Sequence, residues 1–190
     1  MKICKTTCKR TWRRNCLQIK HKVSIAGLDP NDPYSFRIPT VEDGKFIWQL
    51  IKDTKILDLN SSYSYLLWAD QFSDTSIVVE DHGKLVGFIS GFIQPKAQDT
   101  LFIWQVAVDE SVRGKRLASR MLHTILQSDA CRNIRYLETT VTPSNIPSTN
   151  LFKGLARDLG TECTITDGYT KDQFPGCGHE SEKLFRIGPF

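Results

Sequence analysis

The fold of this chain is constrained most by one apolar segment. This segment leads directly into a cationic turn and then into an amphipathic helix. Residues 101–108 are almost entirely apolar or aromatic, as expected of a strand buried on both faces. Apolar residues recur at helical spacing from Leu117 to Leu126. The turn between them contains Arg113, Lys115 and Arg116. A strand followed at once by a helix indicates an α/β architecture.

Strand and helix patterns continue on both sides of this segment. Strands are predicted at residues 36–38, 76–80, 85–93, 101–108, 136–141, 162–166 and 183–187, and helices after Thr40 and over residues 62–72, 117–126 and 148–159. Thr40 is the N-cap candidate of the first helix, with Asp43 three residues on as in a capping box. The predicted buried stripe of this helix consists of Phe46, Ile47, Leu50 and Ile51. The first long strands form a hairpin around a tight turn at residues 81–84, whereas the later ones alternate with helices. We therefore predict an α/β fold with a mixed central sheet and helices on both faces.

The basic residues are concentrated at the start of the chain. Its first 22 residues hold eight of the 25 Lys and Arg and none of the 21 Asp and Glu. The body from Val23 onward therefore has 17 basic against 21 acidic residues, a net charge of −4. A nucleic-acid partner is thus not expected for the folded part. We predict a basic, disordered extension over residues 1–33 and one domain over residues 34–190.

The sequence lacks the patterns that mark a targeting segment, a membrane span or a metal site. The chain contains neither a signal-peptide pattern nor an apolar run of the ~18 residues that a membrane span needs. Six cysteines occur without paired C-x-x-C spacing, so we expect reduced thiols and no metal site. These observations predict a cytoplasmic protein without a membrane partner.

The cationic turn is a candidate anion site. A helix N-terminus exposes backbone N–H groups and carries partial positive charge, so that each nearby cation is unfavourable by about 0.3–1 kcal/mol. Arg113, Lys115 and Arg116 are nevertheless clustered there, and Gly114 allows the backbone to approach a ligand closely. The simpler interpretation is an exposed, solvated helix start. The cluster favours a bound pyrophosphate.

Residues 113–118, following an apolar strand, resemble the coenzyme A loop of the GCN5-related N-acetyltransferase superfamily. Arg116 differs from the glycine that is frequent at its position, and Phe152 stands where many members carry a tyrosine that protonates the leaving thiolate. The resemblance implies that fold and acetyl-CoA as co-substrate. The residues implied in cofactor binding are Val106, Val108, Arg113, Gly114, Lys115, Arg116, Leu117, Ala118, Asn145 and Asn150.

A narrower resemblance covers residues 34–190. The segments 57–63, 65–67, 104–108 and 176–180 are similar to those of the L-2,4-diaminobutyric acid acetyltransferases of ectoine synthesis. This resemblance implies acetyl transfer to the 4-amino group of L-2,4-diaminobutyrate, by direct attack in a ternary complex. It also implies a homodimer.

Three side chains are predicted to contact the diamine. An anchoring carboxylate attracts and orients an ammonium group, so Asp58 is the first candidate, although it could simply cap a loop. Trp104 could hold an ammonium over its ring or could be core. Tyr63 could bind the substrate carboxylate or could be packing.

Three groups are candidates for a role in catalysis. The backbone N–H of Val106 is the expected oxyanion donor. Glu138 could accept the proton of the amine through water, or could be a solvated strand residue. His179 titrates in a useful pH range and could reach the site from its glycine-flanked loop.

Two other functions remain open at this point. The chain could acetylate another amine with the same fold, such as a polyamine, an aminoglycoside or a protein N-terminus. Alternatively, it could be a coenzyme A-binding regulatory module without turnover, which the phenylalanine at position 152 would permit.

Overall fold

The computed structural model describes residues 32–176 and 178–190, so the predicted extension falls largely outside the described residues. The strands are β1 Tyr34–Arg37, β2 Ile77–Asp81, β3 Lys84–Gln94, β4 Ala97–Val108, β5 Tyr136–Val141, β6 Cys163–Asp167 and β7 Lys183–Ile187. The helices are α1 Gly44–Thr54, α2 Ser62–Asp70, α3 Leu117–Leu126 and α4 Ile146–Asp158. Every predicted strand and helix is present, with shifts of a few residues at the ends.

All seven strands form one sheet in the order β1-β2-β3-β4-β5-β7-β6. Neighbouring strands are antiparallel except for β4 and β5, which are parallel. The hairpin between β2 and β3 turns through His82 and Gly83, which both have positive φ, as a tight two-residue hairpin turn requires. The predicted mixed sheet is therefore confirmed.

The helices cover both faces of the sheet. On one face, Ile47 and Ile51 of α1 and Tyr65 of α2 pack with Phe88 of β3. On the other face, the buried residues of α3 and α4 form the larger core cluster with the opposite side of β2, β3, β4 and β5. Phe46 was assigned to the buried stripe of α1, but this was wrong: it is exposed, because Ile47, Leu50 and Ile51 alone form the inward-facing stripe.

A buried ionic cluster fixes β1 to the start of α1. Asp43 accepts hydrogen bonds of 2.6 and 2.8 Å from the guanidinium of Arg37. Arg37 also donates to Glu80 on the neighbouring strand β2, with an Nε–Oε1 distance of 3.0 Å. Asp43 further accepts from the backbone N–H of Thr40 at 2.7 Å, which forms the predicted capping box. Strand, turn and helix are thus held by one set of hydrogen bonds.

Two features are absent from the described residues. No helix among them is long and apolar enough to cross a membrane. In the same part of the chain, no group of three or more His, Cys, Asp and Glu side chains could hold a metal ion.

Candidate active site

A cavity opens where two parallel strands separate. β4 and β5 are paired only over Thr100–Phe102 and Tyr136–Glu138, although β4 continues to Val108 and β5 to Val141. The cavity has a volume of about 640 Å³. Its lining comes from the ends of both strands, the start of α4, the loop between α1 and α2, and the loop between β6 and β7. Ligands of α/β sheets commonly bind at such strand ends.

A β-bulge lies in the wall of this cavity. Gln105 pairs with Ser90 of β3 and Ile103 pairs with Gly91, so Trp104 is an extra residue in β4. The backbone N–H of Gln105 donates to Ser90 Oγ at 3.2 Å and so faces β3. Successive N–H groups along a strand point to opposite edges, hence the N–H of Val106 faces the gap. An N–H in this orientation could donate to an oxyanion in the gap, as predicted for Val106. The catalytic role itself stays a prediction.

The bulge corrects one expectation about β4. The strand was predicted to be buried on both faces, yet Trp104 is 39% exposed and borders the cavity. Its ring stacks on Trp68 of α2 with centroids 4.9 Å apart, and Phe92 and Phe102 border the same cavity. The apolar pattern was correct, but part of it forms an aromatic cavity wall rather than core.

The cationic turn has the geometry of an anion-binding helix start. Asp109 caps the short 3-10 turn Glu110–Val112 that precedes Arg113, by accepting from the N–H of Ser111 at 3.0 Å. Hydrogen bonds from Lys84 and Ser111 lower the pKa of Asp109 to about 2, so this cap stays ionised at all physiological pH values. Leu117 and Ala118 open α3, and the side chain of Arg113 is half-exposed. The first N–H groups of α3 have no partner within the helix, and several cations directly precede them in the chain.

Two residues of this turn have left-handed backbone conformations. Gly114 has φ +80°, and a Cβ on it would have open space around it, so the glycine is required by conformation rather than by crowding. Arg116 has φ +57°, which is strained for a residue with a side chain. Its guanidinium lies 3.7 Å from Asp158 of α4. A positive φ at position 116 also explains why a glycine is frequent there in the superfamily.

The start of α4 and the end of β5 both border the cavity. Asn145 is the N-cap of α4, because its side chain accepts from the N–H of Ser148 at 3.1 Å, and both residues line the cavity. Phe152 also lines the cavity and is only 2% exposed, so its ring is core on one side. Asn150 is exposed outside this lining, and Val108 packs against the larger core cluster.

The structure brings Asp58 and His179 together from distant parts of the chain. The Nε2 atom of His179 lies 3.9 Å from Oδ2 of Asp58. The carboxylate of Asp58 is 92% exposed, while the imidazole is stacked on Phe174 with centroids 3.6 Å apart. The neighbouring Glu180 is hydrogen-bonded to Ser144, in the turn before α4. A carboxylate and an imidazole thus border the same cavity.

Two of the six residues predicted to act in catalysis or substrate binding lie outside this lining. Tyr63 is 65% exposed at the start of α2. Glu138 is 12% exposed, forms an ion pair with Arg186 and accepts from Gln94 Nε2 at 2.5 Å. It borders an adjoining cavity of about 610 Å³, which shares Phe92 and Phe102 with the first. The suggested roles of Tyr63 and Glu138 remain predictions.

Other lining residues were not assigned a role from the sequence. They include Gln105, Thr142, Tyr169, Phe174, Glu180 and Glu182. Gln105 is a polar residue inside an otherwise apolar strand, and this could have marked it. The residues of the loop between β6 and β7 offered no comparable signal. Their position depends on where these two strands pair in the sheet, next to β5.

The strand gap, the bulge and the cationic helix start together define the class of protein. The chain belongs to the Acetyltransferase (GNAT) family, whose model matches residues 44–156. Within it, the chain belongs to the L-2,4-diaminobutyric acid acetyltransferases, as its relatives show. One from Virgibacillus pantothenticus is 55% identical over 152 residues, which cover 80% of this chain and 96% of the relative. Another from Marinococcus halophilus is 51% identical, covering 84% and 92%.

A solved structure agrees with this assignment. It is a diaminobutyrate acetyltransferase from Paenibacillus lautus in complex with L-2,4-diaminobutyric acid and coenzyme A. The match has a TM-score of 0.80 at 46% identity and covers 82% of this chain and 95% of that one. The chain is therefore an acetyl-CoA-dependent N-acetyltransferase by family, with the expected fold.

Proposed function

We propose that this protein transfers the acetyl group of acetyl-CoA to the 4-amino group of L-2,4-diaminobutyrate. The observation that carries the proposal is the cavity in the β4–β5 gap, where an aromatic wall, the N–H of Val106 and the carboxylate of Asp58 meet. The relatives and the solved structure support the substrate, because their names specify this diamine. The product would be N4-acetyl-L-2,4-diaminobutyrate, an intermediate of ectoine synthesis.

Acetyl-CoA would bind along β4 with its pyrophosphate at the start of α3. The N–H groups of residues 116–118 and the cations Arg113 and Lys115 suit the two phosphates. The pantetheine arm would lie in the gap, where the N–H of Val106 can bind its thioester carbonyl. Asn145 and Ser148 border the opposite side of the same gap. This arrangement brings the thioester next to the diamine cavity.

The reaction then needs a neutral amine, a hydrogen-bond donor for the oxyanion and a proton for the leaving thiolate. A side-chain amine has a pKa near 10.4, so about one molecule in two thousand is neutral at pH 7 and deprotonation must be assisted. The neutral 4-amine attacks the thioester carbon, and the Val106 N–H stabilises the developing oxyanion. Collapse of this intermediate breaks the C–S bond and expels the coenzyme A thiolate, which takes up a proton as the acetylated nitrogen loses one. His179 lines the cavity and is better placed than Glu138 to exchange a proton there.

The test is thiol release from acetyl-CoA by the purified protein. L-2,4-Diaminobutyrate is compared with lysine, ornithine and putrescine, and the acetylated nitrogen is assigned by NMR. Selective release with the 4-acetyl product is expected. Equal rates with all amines would make the protein a general amine acetyltransferase, and coenzyme A binding without release from any amine would make it a regulatory module.

Replacing Asp58 with asparagine is expected to lower kcat/KM for L-2,4-diaminobutyrate about 10- to 100-fold, because a charge-assisted hydrogen bond to an ammonium is lost. The KM for acetyl-CoA should change little. Steady-state kinetics check this, with Asp53→Asn on the exposed end of α1 as the matched control. Unchanged kcat/KM in the Asp58 variant would remove this residue from the substrate site.

Replacing Arg113 and Lys115 together with alanine is expected to have opposite effects on binding and stability. The dissociation constant of acetyl-CoA should rise about 10- to 100-fold, since phosphate contacts are lost. The free energy of unfolding without ligand should stay equal or rise by up to ~1 kcal/mol, because cations near a helix N-terminus are unfavourable. Calorimetric titration and thermal melting measure both quantities. Arg132→Ala, at an exposed position after the 3-10 turn Asp129–Cys131, is the control.

We also propose that the protein is a cytoplasmic homodimer whose residues 1–31 are dispensable for turnover. The dimer is expected from the family resemblance, and the basic extension lies outside that resemblance. Sedimentation equilibrium of the full chain, with activity compared before and after removal of residues 1–31, tests both statements. A monomer, or loss of turnover on truncation, would overturn the corresponding one.

A further inference from the structure

The imidazole of His179 is held by two contacts within the loop between β6 and β7. Its ring stacks on the ring of Phe174, with centroids 3.6 Å apart and an angle of 10° between the planes. Tyr169 packs against the same Phe174 ring in a T-shaped arrangement, with centroids 6.4 Å apart. The Nδ1 atom of His179 lies 2.7 Å from the backbone oxygen of Glu180. The stack fixes the plane of the imidazole, and the hydrogen bond fixes its rotation within that plane.

The hydrogen bond to Glu180 also determines which nitrogen carries the proton of the neutral ring. A carbonyl oxygen can only accept, so Nδ1 must donate and Nε2 keeps its lone pair. Nε2 lies 3.9 Å from Oδ2 of Asp58, and both residues line the cavity. The imidazole is 27% exposed, so a ligand in the cavity can reach this lone pair. The geometry therefore presents His179 to the cavity as a proton acceptor.

The backbone of this loop gives the histidine little support of its own. Gly176 and Gly178 lie between the two stacked rings in the chain, and both have a positive φ, which residues with side chains rarely adopt. Glycines lose the most conformational freedom when a chain becomes ordered, so such a loop needs side-chain contacts to stay in one conformation. The ring of Phe174 supplies a contact of this kind directly at the imidazole.

A general base must lie within about 2.6–3.2 Å of the proton that it removes, so its orientation limits the rate. We propose that Phe174 is a positioning residue, which holds Nε2 of His179 toward the 4-amino group of the diamine. One N–H bond of the 4-ammonium breaks with its electron pair left on nitrogen, and the proton forms a new N–H bond at Nε2. The imidazolium then gives this proton to water. This inference rests on the function proposed above.

The test is a double-mutant cycle between Phe174 and His179, measured as kcat for the diamine. Phe174→Leu keeps an apolar side chain but removes the flat ring. It should lower kcat about 10- to 100-fold, because a displacement of about 1 Å at a reacting group can cost that much. In a His179→Asn background, the same substitution should leave kcat unchanged. Phe174→Tyr keeps the ring and should recover most of kcat, and Phe46→Leu, at an exposed position of α1, is the control.

Nitrogen-15 NMR of the histidine side chains supplies a readout that does not depend on turnover. Neutral His179 of the wild type should carry its proton on Nδ1, whereas the Phe174→Leu variant should show signals averaged between the two tautomers. A wild-type proton on Nε2, or tautomer signals that Phe174→Leu does not alter, would overturn the inference. If the leucine variant does not fold, Phe174→Met replaces it in both measurements.

The kinetic outcomes separate this inference from the proposed function. Equal losses of kcat in the wild-type and His179→Asn backgrounds would mean that Phe174 only shapes the cavity. Wild-type kcat in His179→Asn would remove the histidine from the proton transfer, and the inference would fall with it. Acetylation of the diamine by the wild type is measured first, and its absence would contradict the proposed function itself.

Discussion

A Val106→Pro variant is expected to lose about 10²- to 10³-fold in kcat, because proline removes the N–H that is proposed to stabilise the oxyanion. That N–H faces the gap between β4 and β5, so its loss breaks no hydrogen bond to β3. The effect on the dissociation constant of acetyl-CoA should be smaller, since the donor acts mainly on the transition state. Thiol release under saturating substrates measures kcat.

Val106→Ala is the matched control, because it shortens the same partly buried side chain but keeps the N–H. Its melting temperature should fall slightly and its kcat should stay near that of the wild type. A proline variant that melts like the alanine variant and retains wild-type kcat would show that the oxyanion donor lies elsewhere.

The second large effect concerns stability. Replacing Asp43 with asparagine is expected to lower the free energy of unfolding by about 3 kcal/mol, because it removes one partner of a buried ion pair and leaves Arg37 with Glu80 alone. Burial raises the pKa of Asp43, but hydrogen bonds from Arg37 and Thr40 outweigh it, and the net pKa lies below the ordinary value of 3.8.

The sign of the pH dependence follows from that lowered pKa. The ionised Asp43 stabilises the fold fully above the unfolded-state pKa, and this contribution is lost as the pH falls through the lower pKa of the folded state. The difference between the wild type and Asp43→Asn should therefore be largest near pH 7 and shrink below about pH 4. Urea unfolding at both pH values measures it. Asp172→Asn, on an exposed turn, is the control, and a pH-independent difference would contradict the assigned cause.

Periodicity and turn chemistry were sufficient to predict most of the fold. The hairpin turn at His82 and Gly83, the capping box at Thr40 and the buried stripes of the helices each follow from local rules. The bounds of β5 and β7 were predicted to the residue, because their alternating burial is regular. Phe46 was misplaced, since a stripe spans a limited arc of the helix and adjacent apolar residues need not share it.

The site was harder to predict, because it depends on contacts between distant segments. The position of Asp58 opposite His179 depends on the route of two loops, which no local pattern specifies. Glu138 looked like a free carboxylate on a strand, and only the tertiary structure shows its ion pair with Arg186. The bulge at Trp104 shifts every later side chain of β4 relative to β3, and a run of apolar residues gives no sign of it.

The three-residue ladder between β4 and β5 also affects how the enzyme is stabilised. The two halves of the sheet share few backbone hydrogen bonds there, so an extended pantetheine arm in the gap would act as a substitute strand that each half can bind. Cofactor binding would then add to the resistance of the whole domain to unfolding, by an amount that grows with the logarithm of the acetyl-CoA concentration. The concentration of acetyl-CoA would thereby affect both the rate of the reaction and the fraction of the enzyme that is folded.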